Sequence, residues 1–144
     1  MTLRTAPVLP VLLLAPLAAL VAGCGDGHTP QLSNLALDGQ APDSPLVLLL
    51  SLDFKDDDGD LAEGVLDTFI NGTPTSAGAL PLLPIFIASD VEPGAMRGHL
   101  EFVLELSFAA PPPASGSTFT MGARATDGGN STSTTQEVRL KLEY

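Results

Sequence analysis

From Gln31 onward the apolar residues recur with a period of two, not 3.6. That is the spacing at which a strand sets alternate side chains on one face. Over residues 46–54, Leu46, Leu48, Leu50, Leu52 and Phe54 share a face. Over residues 99–108, Leu100, Phe102, Leu104, Leu106 and Phe108 do the same, with His99, Glu101, Val103, Glu105 and Ser107 opposite. Phe119, Met121, Ala123 and Ala125 alternate with Thr118, Thr120, Gly122 and Arg124, and Val138, Leu140 and Leu142 alternate with Glu137, Arg139, Lys141 and Glu143. Such alternation predicts antiparallel sheets with one buried face. Leu104, Leu50 and Phe102 are expected on the inner faces of central strands.

Three weaker segments complete a set of seven strands. Residues 31–37 come first. Residues 65–70 end at Asn71-Gly72, a strong hairpin signal. Residues 82–89 contain Pro84 and are predicted as an edge strand, because proline cannot donate to a ladder. No helix is predicted, since prolines and glycines recur throughout, with turns at Asp58-Gly59, Pro93-Gly94, Pro111-Pro112-Pro113 and Asp127-Gly128-Gly129-Asn130.

The first residues follow a different pattern. Arg4 is the only early charge, and residues 6–22 are apolar and broken by Pro7, Pro10 and Pro16. A charged start followed by a short apolar run is the layout of a secretory signal; a membrane span needs about 20 apolar residues. The run closes on Val21-Ala22-Gly23-Cys24, which resembles the lipobox of bacterial lipoproteins. That resemblance implies a signal peptide over residues 1–23, cleavage before Cys24 and lipidation of its thiol, so that the membrane becomes a partner through the anchor. Residues 24–30 then form a lipidated tether. Gly25, where inner-membrane lipoproteins carry aspartate, implies the outer membrane, with the domain in the periplasm or at the cell surface.

Composition narrows the function. The chain has 144 residues, 17 acidic against 6 basic side chains and one cysteine. One cysteine allows no internal disulfide and no cysteine-rich zinc site. A net charge of −11 argues against a nucleic-acid partner. There is no nucleophile elbow, P-loop or dinucleotide fingerprint. His99 and Glu101 lie two apart on one strand face and could share a metal, but such a pair far more often simply faces solvent, and a zinc site would need further ligands.

Two turns carry a second resemblance. Phe54-Lys55-Asp56-Asp57-Asp58-Gly59-Asp60-Leu61 and Ala123-Arg124-Ala125-Thr126-Asp127-Gly128-Gly129-Asn130-Ser131 resemble turns of bacterial immunoglobulin-like and cadherin-like modules. The resemblance spans residues 31–144. It implies a seven-strand immunoglobulin-like antiparallel β-sandwich that is not an enzyme but binds or spaces other molecules, with an unidentified protein or glycan as ligand. The alternative is an accessory or inhibitory lipoprotein docking on an envelope enzyme.

The acids also suggest a cofactor. Asp56, Asp58 and Asp60 alternate around Gly59, and alternate carboxylates beside a glycine turn can converge on Ca²⁺. Asp127 and Asn130 join them if the even-numbered loops gather at one pole, together with Asp90 and Glu92. Asp67 falls where a calcium-binding EF-hand loop has its last ligand, but Leu61 stands in place of that loop's glycine. A solvated acidic turn accounts for the same residues, so both readings stay open at this point.

Overall fold

The computed structural model describes residues 29–107 and 114–143. The signal segment, the lipobox with Cys24, most of the tether, Phe108 and Tyr144 lie outside the described residues. The chain runs β1 (Gln31–Ala41), β2 (Ser44–Lys55), a 3-10 turn (Leu61–Glu63), β3 (Val65–Ile70), β4 (Thr73–Pro74), β5 (Leu80–Pro81), α1 (Leu82–Ala88), β6 (Arg97–Glu105), β7 (Thr118–Thr126) and β8 (Gln136–Lys141). One sheet has the order β1-β2-β6. The other has β4-β3-β7-β8, with β5 beside β3, and every pairing is antiparallel. The two sheets form an all-β sandwich with eight strands among the described residues instead of seven: β4 and β5 are two-residue additions, and residues 82–89 form no strand.

The period-two pattern decides which side chains meet between the sheets. Leu48, Leu50, Leu52, Leu100 and Leu104 are all buried on the first sheet, as expected of alternate positions. Leu66, Met121, Ala123, Ala125 and Leu140 answer them from the second. Full burial of one such leucine contributes about 1.5–3 kcal/mol. Asn71 and Gly72 have φ of 50° and 77°, the left-handed pair that a tight two-residue hairpin requires, and they join β3 to β4.

One segment departs from the sequence expectation. Residues 82–89 are not an edge strand: Leu82–Ala88 is a helix of seven residues, and the expectation of no helix fails with it. The run is apolar throughout, so period two and period 3.6 fit it equally. Pro84 sits in the first turn, where a missing N–H breaks no intrahelical bond. Leu82 and Phe86, four apart, both turn into the core, and the Phe86 ring lies 4.9 Å from that of Phe54. Place beside β6 therefore stays free of a fourth strand among the described residues.

A candidate metal centre between the sheets

The pole where β2 ends holds the acidic turn. The Asp56 N–H donates to the Met96 carbonyl (2.7 Å), fixing the turn against the segment leading into β6. The Asp56 Oδ2 accepts the Leu61 N–H (2.9 Å), so the chain folds back over its own carboxylate. Gly59 makes the bend at φ 75°, and a Cβ there would stand 2.7 Å from the Gly94 carbonyl oxygen. Only glycine meets both demands. Asp60 then opens the 3-10 turn, its carbonyl accepting the Glu63 N–H (3.0 Å).

The third acid comes from the other sheet. Gly64 closes the 3-10 turn, and a Cβ on it would fall 1.8 Å from the Thr126 carbonyl oxygen. That missing side chain lets the end of β7 press against the acidic turn. The Gly128 N–H donates to the Asp60 carbonyl (3.2 Å) across this contact. Asp127 is locked by its own loop: its N–H donates to the Ser131 carbonyl (3.0 Å), and its Oδ1 accepts the Ser131 N–H (2.7 Å).

The result brings Asp56, Asp60 and Asp127 together, one carboxylate oxygen of each lying within 4.8 Å of the others. Asp56 is 1 % exposed and Asp127 4 %. Each of the three also keeps one buried carboxylate oxygen without a hydrogen-bond partner: Asp56 Oδ1, Asp60 Oδ1 and Asp127 Oδ2. Buried acceptors are normally satisfied, and an unmet one costs about 1–3 kcal/mol, more when charged. Burial, and then the neighbouring Asp58, push the Asp56 carboxyl up to about 6. Burial, then the charges of Asp127 and Asp58, raise that of Asp60. These three acids, drawn from two sheets, could hold one metal ion. A cation would satisfy the open oxygens and cancel the mutual repulsion in one step.

The other candidates take different places. Asp58 is exposed at the rim, near enough to raise Asp56 but outside the group of three. Asn130 is exposed with φ 67°; its N–H donates to the Asp127 carbonyl (3.2 Å), so it shapes the loop. Asp57 pairs with Lys55 (3.0 Å). Asp67 points to Arg124 on β7 (3.1 Å) and is no part of the cluster, which dismisses the EF-hand alignment. Asp90 and Glu92 precede the Gly94–Met96 stretch that touches the turn, yet neither joins the group.

His99 takes Asp53, not Glu101, as its hydrogen-bond partner. Its Nδ1 lies 2.7 Å from Asp53 Oδ1, and Asn34 Nδ2 donates to Asp53 Oδ2 at 2.7 Å. The hydrogen bond to Asp53 holds the His99 pKa above its usual value, and the bonds from Asn34 and His99 hold Asp53 below its own. Reading the residues alone missed Gly64, and no signal in the string marks it, because its role is an approach between distant segments. Compared with known proteins, the chain matches no family model and no curated protein.

Proposed function

We propose that this chain is a lipid-anchored module of the bacterial cell envelope, non-enzymatic, whose immunoglobulin-like sandwich binds or spaces other envelope molecules and is clamped by Ca²⁺ at one pole. The observation that carries the reading is the convergence of Asp56, Asp60 and Asp127 with three buried, unpartnered oxygens. The donors are all carboxylate oxygens, which suit a hard cation; zinc sites favour Cys and His. Calcium takes six to eight oxygens in flexible geometry, which three carboxylates and nearby carbonyls can approach. Bound there, it ties the end of β2 in one sheet to the end of β7 in the other.

Strand order supports the immunoglobulin-like part of the reading. β1-β2-β6 facing β4-β3-β7-β8 follows the two-sheet order of such domains, with α1 in the chain position of the first sheet's remaining strand. The anchor rests on Val21-Ala22-Gly23-Cys24. Gln31 pairs with Lys55, so the chain enters the sandwich beside Asp56. The six residues from Gly25 to Pro30 reach at most about 20 Å, which holds the acidic pole close to the lipid. Within a Debye length of about 8 Å an anionic surface repels bare carboxylates, and a bound cation removes much of that repulsion.

Calorimetric titration of the full chain with Ca²⁺ tests the reading. A single site with Kd of about 10⁻⁴–10⁻³ M, the range of extracellular modules, is expected, and it should vanish in Asp60→Asn/Asp127→Asn. No heat at millimolar Ca²⁺ would refute the clamp.

A further inference from the structure

The free edge of β6 is built differently from the acidic pole. Among the described residues no strand lies beyond it. Ser89, just past α1, covers one position: its Oγ accepts the Glu101 N–H (2.8 Å) and donates to the Glu101 carbonyl (3.2 Å). Both backbone groups of Glu101 therefore point away from β2. In an antiparallel ladder alternate residues behave alike, so the N–H and C=O of Val103 also face outward. Val103 is 58 % exposed, and its cross-strand neighbour Leu49 is 42 % exposed. An open edge of this kind is a template for another strand.

Two cavities flank this stretch. One, of about 300 Å³, opens between β6, α1 and β5 and is walled by Leu80, Pro84, Ile85 and Ala88. The other, of about 310 Å³, lies over Leu49 and Val103 and is rimmed by Asp38 and Glu101. They share Ala88, Glu101, Phe102 and Val103, so they meet at the strand edge. A strand added here would send successive side chains to opposite faces. One side chain would enter the apolar cavity, and the next would cross an apolar floor toward two carboxylates.

We propose that β6 is a docking edge for an extended segment of a partner protein in which apolar residues alternate with Lys or Arg. The apolar residue fills the cavity beside Ile85. The basic residue lays its aliphatic stem on Leu49 and Val103 and carries its charge to Asp38 and Glu101. Backbone hydrogen bonds to Val103 supply affinity, and the two cavities supply selectivity. A second copy of this chain fits poorly. Two β6 edges paired antiparallel about Val103 would set Glu101 opposite Glu105, and like charges directly opposed destabilise a sheet. The inference rests on the reading of the domain as a binding module but not on the metal, since Val103 lies about 20 Å along the strand from Arg97 at the acidic pole.

The test is amide hydrogen exchange of the full-length protein with a capped octapeptide of alternating valine and lysine, against its valine–glutamate counterpart. At millimolar peptide the lysine version should slow exchange at Val103 and Glu105 by about tenfold or more, and the glutamate version should not. Val103→Lys should abolish the protection, and Glu101→Gln with Asp38→Asn should weaken it. All three side chains are exposed, so the variants leave the core intact. The outcome should be the same in EDTA and in Ca²⁺, which keeps failure here distinct from failure of the clamp. Equal protection by both peptides, none by the lysine peptide, or protection that grows with protein concentration alone would overturn the proposal, the last by assigning the edge to a second copy.

Discussion

Replacing Asp56 by Asn separates a metal clamp from a solvated acidic turn. Asp56 is buried, keeps Oδ1 unpartnered, and has its carboxyl pushed to about 6 from an ordinary 3.8. At pH 7.5 without metal it is ionised in a place that disfavours the charge. At about 1.4 kcal/mol per tenfold, the gap between those values amounts to about 3 kcal/mol of lost stability. Asn removes the charge and keeps an acceptor for the Leu61 N–H, while its amide can donate to the open oxygens of Asp60 or Asp127. In EDTA, Asp56→Asn should therefore stabilise the domain by about 1–3 kcal/mol. With an unfolding entropy of about 2.1 cal/mol/K per residue over roughly 110 residues, Tm should rise by about 4–13 °C. Calcium should close most or all of that gap. At 10 mM and a Kd of about 10⁻⁴ M it should stabilise the native chain by about 2.7 kcal/mol, or about 12 °C, and do little for the variant. Thermal unfolding followed by circular dichroism, in EDTA and in Ca²⁺, reads both effects. A variant less stable than the native protein in EDTA, or one that keeps the full calcium shift, would refute the reasoning.

In EDTA, stability should fall as pH rises from about 4 to 6: the folded Asp56 carboxyl holds its proton to about 6 while the unfolded one releases it near 3.8, so the native state binds more protons across that window. Urea titrations at several pH values check this, and a rise of stability over the same range would contradict it. Gly64→Ala places a methyl 1.8 Å from the Thr126 oxygen, so the loops must part; a loss of about 3 kcal/mol or more and weaker Ca²⁺ binding are expected by urea unfolding and calorimetry. Leu104→Ala removes a fully buried side chain and should cost about 2–5 kcal/mol; a loss below about 0.5 kcal/mol, the size of a surface change, would place it outside the core. The native protein should partition into detergent and Cys24→Ser should not, whereas mass spectrometry showing an unmodified mature N-terminus would exclude the anchor.

How far the chain could be read follows from the range of the interactions involved. Alternation is a local property, so the buried faces of β2, β6, β7 and β8 were legible: once one face of a strand is committed to the core, period two assigns every other residue. The Asn71-Gly72 hairpin was legible for the same reason, since two residues carry the whole conformational demand. The acidic turn was visible as text, and Asp56, Asp60 and Asp127 were all in the predicted set, but so were Asp58 and Asn130, which face solvent. Sequence spacing cannot tell a carboxylate turned inward from one turned outward when the chain bends at nearly every residue.

Tertiary structure decided the rest. Residues 82–88 are a continuous apolar run that suits a strand or a helix; the core space beside Phe54, which Leu82 and Phe86 occupy from one helical face, settles it. Gly64 reads as an ordinary glycine until β7 is laid against it. Asp56 and Asp127 stand far apart in the chain, each just past the end of a strand of a different sheet. Their meeting depends on how the two sheets stack, which is a sum over the whole core and is written in no single motif. The open edge of β6 has the same origin: the chain became a helix where a fourth strand would have closed the sheet.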